Sequence, residues 1–404
     1  MKQRALWSAL ATIGLIGVVV GCVPNNPGGN SSATQIAVDS TNDACTVDQA
    51  SSSSGPITFT VKNSGDRVTE FYILADDELR IVGEVENIAA GVSRDLTVVA
   101  QPGTYYTMCK PGMIGEGIGR AQFKVTGEGI TLSEDDQEAA ELAVANYTSY
   151  VKQQVSELVP NVQKLTDAYT SGDDDTARAL FPLTRINYER IEPTAEQFGD
   201  LDPKIDYRKP GAEAEGIEFT GFHRIEMDLW LSEAQKNYPT EDITALDTEG
   251  RTQIAGQLVT DVGALHEAVN SADFELTLGD ITNGAIGLLD EVAAPDGKLP
   301  GEEDEFSHTD LYDFYANVEG AEVAFGNVRD IAASRGDEGS QLVSTLEKQF
   351  DAMKFLLNTY GNYDSGFVSY DTVTQQQRNE LGAQLNALSE PLAKLTHTVL
   401  GVPQ

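Results

Sequence analysis

Two side chains able to share a metal ion stand three residues apart in Glu218-Phe219-Thr220-Gly221-Phe222-His223-Arg224-Ile225-Glu226-Met227-Asp228-Leu229-Trp230. A helix turns the chain by about 100° per residue, so His223 and Glu226 fall on one face. Phe219 and Trp230 lie between them on that wheel, and Phe222 and Leu229 lie beside Glu226. Arg224 and Asp228 are expected on the other side, toward solvent. An imidazole and a carboxylate therefore sit within an apolar stripe, where a carboxylate is costly unless it is paired or holds a cation. Two chemistries fit: a buried His–Glu hydrogen bond that only packs, or a pair of metal ligands on a bundle helix.

The other residues that could do chemistry narrow the choice. The histidines are at 223, 266, 308 and 397, so the first half of the chain has none. A blue-copper centre needs two imidazoles beside its cysteine, and that half cannot supply them. What it does hold is Cys45, Cys109, Met108 and Met113, which fit either a cysteine-based metal site or a Cys45–Cys109 disulfide. A zinc peptidase helix needs His-Glu-x-x-His or His-x-x-Glu-His, and position 227 is Met. No Gly-x-Ser-x-Gly elbow is present. A polysaccharide-binding surface favours exposed aromatics; the only tryptophans are Trp7 and Trp230, and the 14 tyrosines keep that alternative open.

The elements that position these groups change texture along the chain. Lys2 and Arg4 precede an apolar run, Leu6 to Val20, of roughly 15 residues, too short to span a bilayer but suited to a signal peptide. It ends in Val19-Val20-Gly21-Cys22, which resembles a lipoprotein box and implies lipidation of Cys22 and an extracytoplasmic, membrane-anchored chain. Outside the cytoplasm, Cys45 and Cys109 would pair unless something else occupies them. Residues 1–22 thus read as signal, and 23–34, rich in Pro, Gly, Asn and Ser, as a flexible tether.

Residues 35–127 read as short strands, among them Ile57 to Val61, Glu70 to Leu74, Leu96 to Val99 and Ala121 to Val125, with Asn63-Ser64-Gly65-Asp66 and Gln101-Pro102-Gly103 as turns. About seven such strands predict an all-β Greek-key sandwich. Residues 134–404 show helical apolar spacing over 134–171, 175–199, 217–237, 241–272, 308–335, 338–360 and 372–399, with loops over 200–216 and 294–307. An all-α bundle is the expectation. The 64 acidic and 27 basic residues give a formal charge of −37, which repels nucleic acid and anionic lipid and attracts cations.

Gly221-Phe222-His223-Arg224-Ile225-Glu226 resembles the His-x-x-Glu motif of the imelysin-like family. Thr69 to Leu74, Val85 to Gly91 and Gln101 to Cys109 resemble the cupredoxin-like domain of the EfeO/EfeM iron-uptake proteins, and Gly301 to Asp304 with Ser307 to Leu311 resemble their later part. The resemblance covers nearly the whole chain after the leader. It implies a carrier, not an enzyme, that binds iron (Fe2+ or Fe3+) for a membrane permease of the EfeU type, in a system that includes an EfeB-like haem peroxidase. It implies that Glu189, Glu192 and Asp206 complete a site begun by His223 and Glu226. In the β half, the resemblance places Glu70 and Glu86 beside Cys45 and Cys109, as a second metal site for copper or iron or as surroundings of a disulfide. Two expectations from spacing run against this. Leu180, Phe181, Leu183, Ile191 and Phe198 define a stripe with Glu192 at its edge and Glu189 outside it, and Glu291 with Glu302-Glu303-Asp304-Glu305 reads as solvated loop charge.

Overall fold

The computed structural model describes residues 34–401 apart from 77, 79, 80, 114–116, 130–133, 196, 198, 200, 295 and 296, and apart from the side chains of 81, 86, 87, 134, 135, 193 and 195. Cys22 and the leader, the stripe residue Phe198, and the side chain of Glu86 lie outside the described residues.

Alternation of apolar and polar residues builds the first half. In Thr34–Ser40 (β1), Ile36 and Val38 are buried while Gln35, Ala37 and Asp39 face outward, the period-two pattern of a half-buried strand. There follow Cys45–Val47 (β2), Ser51–Ser53 (β3), Gly55–Asn63 (β4), Thr69–Leu74 (β5), Ile81–Ile88 (β6), Ser93–Ala100 (β7), Gly103–Cys109 (β8) and Ile118–Thr126 (β9). One sheet has the order β2-β1-β4-β7 and the other β3-β9-β8-β5-β6. The pairs β1–β4 and β3–β9 run parallel, and the remaining pairs are antiparallel. Between the sheets Phe59 packs on Phe71 and Phe123, with ring centroids 5.3 and 5.4 Å apart. Cys45 of one sheet and Cys109 of the other form a disulfide with Cα atoms 5.5 Å apart. The alternative of a copper or iron site through these two thiolates is corrected accordingly: each sulfur is bonded to the other. Glu70 is buried, accepts a hydrogen bond from the Tyr72 hydroxyl, and faces the cleft described below.

The second half is helical. Its long first helix, Glu134–Ser171 (α1), buries Tyr147, Val151, Val155, Leu158, Val162, Leu165 and Tyr169, steps of three and four residues that make one stripe. Asp174–Glu189 (α2), Thr248–Val269 (α8) and Asp310–Ala333 (α10) pack on it. Gly336–Leu357 (α11), Gln375–Leu392 (α12) and Leu395–Leu400 (α13) close the bundle. Several expected helices are interrupted. The one over 175–199 stops at Glu189 and resumes as Glu192–Ala195 (α3), and the one over 217–237 divides at Trp230 into Gly221–Leu229 (α6) and Leu231–Asn237 (α7). The expected loop 200–216 contains Leu201–Ile205 (α4) and Lys209–Glu215 (α5). Spacing also missed Leu278–Val292 (α9), whose Gly279, Gly284 and Gly287 lower helix propensity. A Thr277–Asp280 capping box and a buried face of Ile281, Ala285, Leu288 and Leu289 offset them. No described helix is long and apolar enough to cross a membrane.

The two halves meet where the Asn283 side chain donates to the Val82 carbonyl at 2.8 Å, and Lys110 pairs with Glu215 at 3.8 Å. A cleft of about 1260 Å³ opens between them. Glu70, Met108 and Met113 line one wall, and Glu192, Asp206, Glu291 and Glu303 line the other.

Candidate metal centre

Beneath that cleft lies a buried group of charged side chains brought together from α2, α3, the end of α4, α6, the loop before α10 and α10 itself. The pivot is α6. Its first residue, Gly221, has φ of +78°, and a Cβ there would lie 2.2 Å from the Ile205 carbonyl oxygen. Only glycine permits that approach, which sets the start of α6 against the end of α4 and so brings Asp206 next to His223. His223 is 1% exposed. Its Nδ1 lies 2.9 Å from Glu226 Oε2, while Glu226 Oε1 accepts from the backbone N–H groups of Phe306 and Ser307 at 3.1 and 2.7 Å. Glu226 is therefore engaged on both oxygens. It orients the ring, and the pair expected as twin ligands is a hydrogen-bonded unit that leaves Nε2 as the open position.

That Nε2 faces Glu303 Oε1 at 3.3 Å and Asp206 Oδ1 at 3.6 Å and makes no hydrogen bond. Burial and the Arg185 guanidinium both work against a protonated ring, but Glu226, Glu303 and Asp206 outweigh them and hold its pKa up at about 10. At neutral pH the ring carries both protons, so a cation reaching Nε2 takes the place of one.

Around this corner, acids outnumber cations. Arg185, fully buried on α2, pairs with Glu189 one turn along, with Asp206, with Asp313 at 3.0 Å and with Glu303 at 3.5 Å. Its guanidinium lies over the rings of Phe222 and Phe181, at 5.5 and 5.9 Å. Lys298, also fully buried, reaches Glu192 at 3.2 Å and Glu189 at 3.3 Å. Asn317 of α10 donates to Glu189 Oε2 and Glu192 Oε2, both at 3.1 Å. A Cβ on Gly320 would lie 2.4 Å from the Arg190 carbonyl, so α10 can come down onto the end of α2 only with glycine there. Burial, then the neighbouring acids Glu189 and Glu291, push the Glu192 carboxyl well above its ordinary range. Burial raises Asp206 despite Arg185 and His223. Burial raises Asp304 and Asp313 well above theirs, in Asp304 with the help of Asp313 and Glu226, in Asp313 against Arg185. Only Glu303 is held well below, because Arg208, Lys298 and His223 together overcome its burial. Burial is the first cause of each raised carboxyl here, and in Glu192 and Asp304 neighbouring acids add to it.

Three triads offer one ligand atom each within 4.8 Å of one another: Asp206, His223 and Glu303; His223, Glu226 and Asp304; and Glu189, Glu192 and Asp206. The orphaned Nε2 beside oxygen-only neighbours fits a hard or borderline cation. All five site residues named from sequence, His223, Glu226, Glu189, Glu192 and Asp206, are buried in this group. Several expectations are corrected. Glu189, placed outside the apolar stripe, is fully buried, whereas Leu183, placed within it, is 39% exposed. Arg185 and Glu189 form a buried ion pair at i, i+4, so the hidden face of α2 is partly ionic and a hydrophobic wheel misses it. Glu303 and Asp304, read as solvated loop charge, are 2% and 0% exposed, drawn inward by Arg185, Arg208 and Lys298. Asp228, expected in solvent, is buried and accepts from Tyr169 and the Leu246 amide while pairing with Arg251. Arg185, Lys298 and Asp313 were not singled out from sequence. An arginine four residues before a glutamate on a helix beginning to turn inward was the one available signal.

A β-sandwich followed by a helical domain with a His-x-x-Glu helix over an acid-rich pocket defines a two-part class, cupredoxin-like plus imelysin. The imelysin (peptidase M75) sequence model matches residues 143–395, and the cupredoxin-like domain model matches residues 12–118. The chain is 35% identical over 370 residues to the iron uptake system component EfeO of Escherichia coli O157:H7, of Escherichia coli K12 and of Shigella flexneri. The match spans 91% of this chain and 92% of each relative. The chain belongs to the EfeO family.

Proposed function

We propose that this protein takes part in iron uptake by binding iron at the His223 centre and passing it to a membrane permease, as a carrier and not as an enzyme. The observation that carries this reading is the buried Nε2 of His223, which makes no hydrogen bond and faces Asp206 and Glu303 at the base of an acid-lined cleft. Its support from relatives is their name, iron uptake system component. Carboxylate oxygens with one imidazole suit either Fe2+ or Fe3+, and with no thiolate at this corner among the described residues an ion would stay exchangeable. Both oxygens of Glu226 are occupied, which counts against a metallopeptidase that would use this carboxylate to activate water. An EfeB-like haem peroxidase is a second partner in this reading.

Iron titration of the parent and of His223→Ala, followed by thermal melting, tests it. Binding stabilises the folded state by mass action, by about 2.7 kcal/mol at a hundredfold excess over Kd. His223→Ala is expected to lose that shift while keeping the apo fold, and a variant that binds iron like the parent would overturn the reading. We further propose that the lipoprotein box ending at Cys22 anchors the chain outside the cytoplasm. Cys22→Ala should then release it from the membrane fraction or leave it unprocessed, and unchanged fractionation and mature mass would rule the anchor out.

A further inference from the structure

Lysine ordinarily keeps its ammonium in water while burying its stem. Lys298, in the loop between α9 and α10, does the opposite: it is 0% exposed. Its Nζ lies 3.3 Å from Glu189 Oε2, 3.2 Å from Glu192 Oε2, 3.5 Å from Glu291 Oε1 and 3.6 Å from Glu303 Oε2. Carboxylate oxygens on several sides of one positive centre are the surroundings a hard metal ion takes. Two of these acids, Glu189 and Glu192, form the oxygen-only triad with Asp206, and Asp206 also faces His223. Glu303 is likewise shared, with Oε1 toward His223 and Oε2 toward Lys298. That Oε2 is buried and makes no hydrogen bond, although Arg208 is 3.1 Å away. Glu192, Glu291 and Glu303 also line the cleft, so the oxygens that hold the ammonium meet a cation arriving from solvent.

We propose that Lys298 is a tethered competitor for iron: its ammonium holds the carboxylates in place in the iron-free protein, and it opposes the ion that uses them. This rests on the reading of the His223 centre as the iron site. An ammonium is a compact point charge on a flexible four-carbon stem, able to shift as a multivalent ion draws Glu303 and Asp206 toward itself. Its charge then weakens iron binding, which favours handing the cargo on over trapping it. Lys298 acts through the ligands and is a positioning residue.

The test uses the full chain with Lys298→Met, which keeps the stem's bulk and removes the charge. A unit charge removed from within about 4 Å of the ligand set, at an effective dielectric near 20, corresponds to more than a tenfold change in affinity. We expect iron to bind Lys298→Met at least about tenfold more tightly than the parent and to leave more slowly for a competing chelator. A purely structural lysine predicts unchanged or weaker binding, and that result overturns the proposal. If the apo variant melts early or fails to fold, iron must restore it, giving a larger iron-induced rise in Tm than in the parent; no restoration also overturns it. Mn2+, a hard ion suited to carboxylates, separates this inference from the proposed function. If the parent binds no iron, the proposed function fails by itself. Stabilisation of Lys298→Met by Mn2+ that the parent lacks would still support competition, and no stabilisation of the variant by either metal would end it.

Discussion

Replacing Glu226 by glutamine tests whether that carboxylate orients His223. Glu226 has three contacts: His223 Nδ1 at 2.9 Å through one oxygen, and the Phe306 and Ser307 amides at 3.1 and 2.7 Å through the other. Glutamine keeps one acceptor and presents a donor in place of the second. If its carbonyl stays on the two loop amides, its NH2 faces Nδ1, which must give up its proton and leave the remaining one on Nε2, the atom a metal needs. If its carbonyl turns to Nδ1–H, the loop amides lose their acceptor instead. Hydrogen bonds to a charged group contribute about 1.5–3 kcal/mol each, so the apo protein should lose about that much stability. Changing the partner that orients a metal-binding imidazole costs roughly 10- to 100-fold in affinity. Denaturant unfolding of the apo form reads the first quantity, and iron titration against a chelator of known affinity reads the second. Parent-like stability together with a Kd within about twofold of the parent would refute the orienting role.

Two more outcomes follow from features away from the ring. The Cys45–Cys109 disulfide closes a loop across 64 residues of sequence separation, so chain entropy assigns it about 4 kcal/mol. Unfolding of the parent in reducing buffer, or of Cys45→Ser/Cys109→Ser, should show a loss of that order, and superposable curves would contradict a sandwich stapled in this way. Glu84 is raised to about 8, first by burial and then by Glu70, Glu291 and Asp290. A carboxyl with a raised folded pKa leaves stability intact below its unfolded value near 4.5 and removes it progressively as pH climbs to 8. The advantage in Tm of Glu84→Gln over the parent should accordingly grow between pH 4.5 and 8 and level off above; a difference that does not vary with pH would exclude this cause.

How far the sequence foretold this architecture depends on what kind of burial each segment has. Where burial is apolar, periodicity is enough. The alternation in β4 and the three-and-four spacing in α1 were readable because Phe59 or Val155 can be hidden only by packing. Glycine-rich α9 was not, since its low propensity is offset by a capping box and by a face that packs against the β half at Val82. His223 and Glu226 were readable for the opposite reason: two polar groups stood out against an apolar stripe. Where a face buries ions against ions, that contrast disappears. On α2 the hidden side carries Arg185 and Glu189 beside Phe181 and Tyr188, and a hydrophobic wheel assigns such residues to solvent. Glu303 and Asp304 are an acidic run in a loop until Arg185 and Arg208 arrive from elements distant in sequence and Lys298 folds in from the same loop.

The same ionic burial sets a physical limit on what the centre can be. Replacing a buried ion network by apolar side chains is often neutral or stabilising, so stability alone does not account for placing so many carboxyls here. A network kept only for conformational uniqueness would be expected to balance its charges. Here the acids outnumber the buried cations: burial and then neighbouring acids push Glu192 and Asp304 toward their protonated state, burial pushes Asp206 and Asp313 there against Arg185, and the acids around His223 draw the ring to its own. In the proposed reading of this centre as an iron site, a multivalent cation would supply positive charge in one step and release protons. In that same reading the task of Arg185 and Lys298 is to keep the carboxylates within reach of one another until the ion arrives.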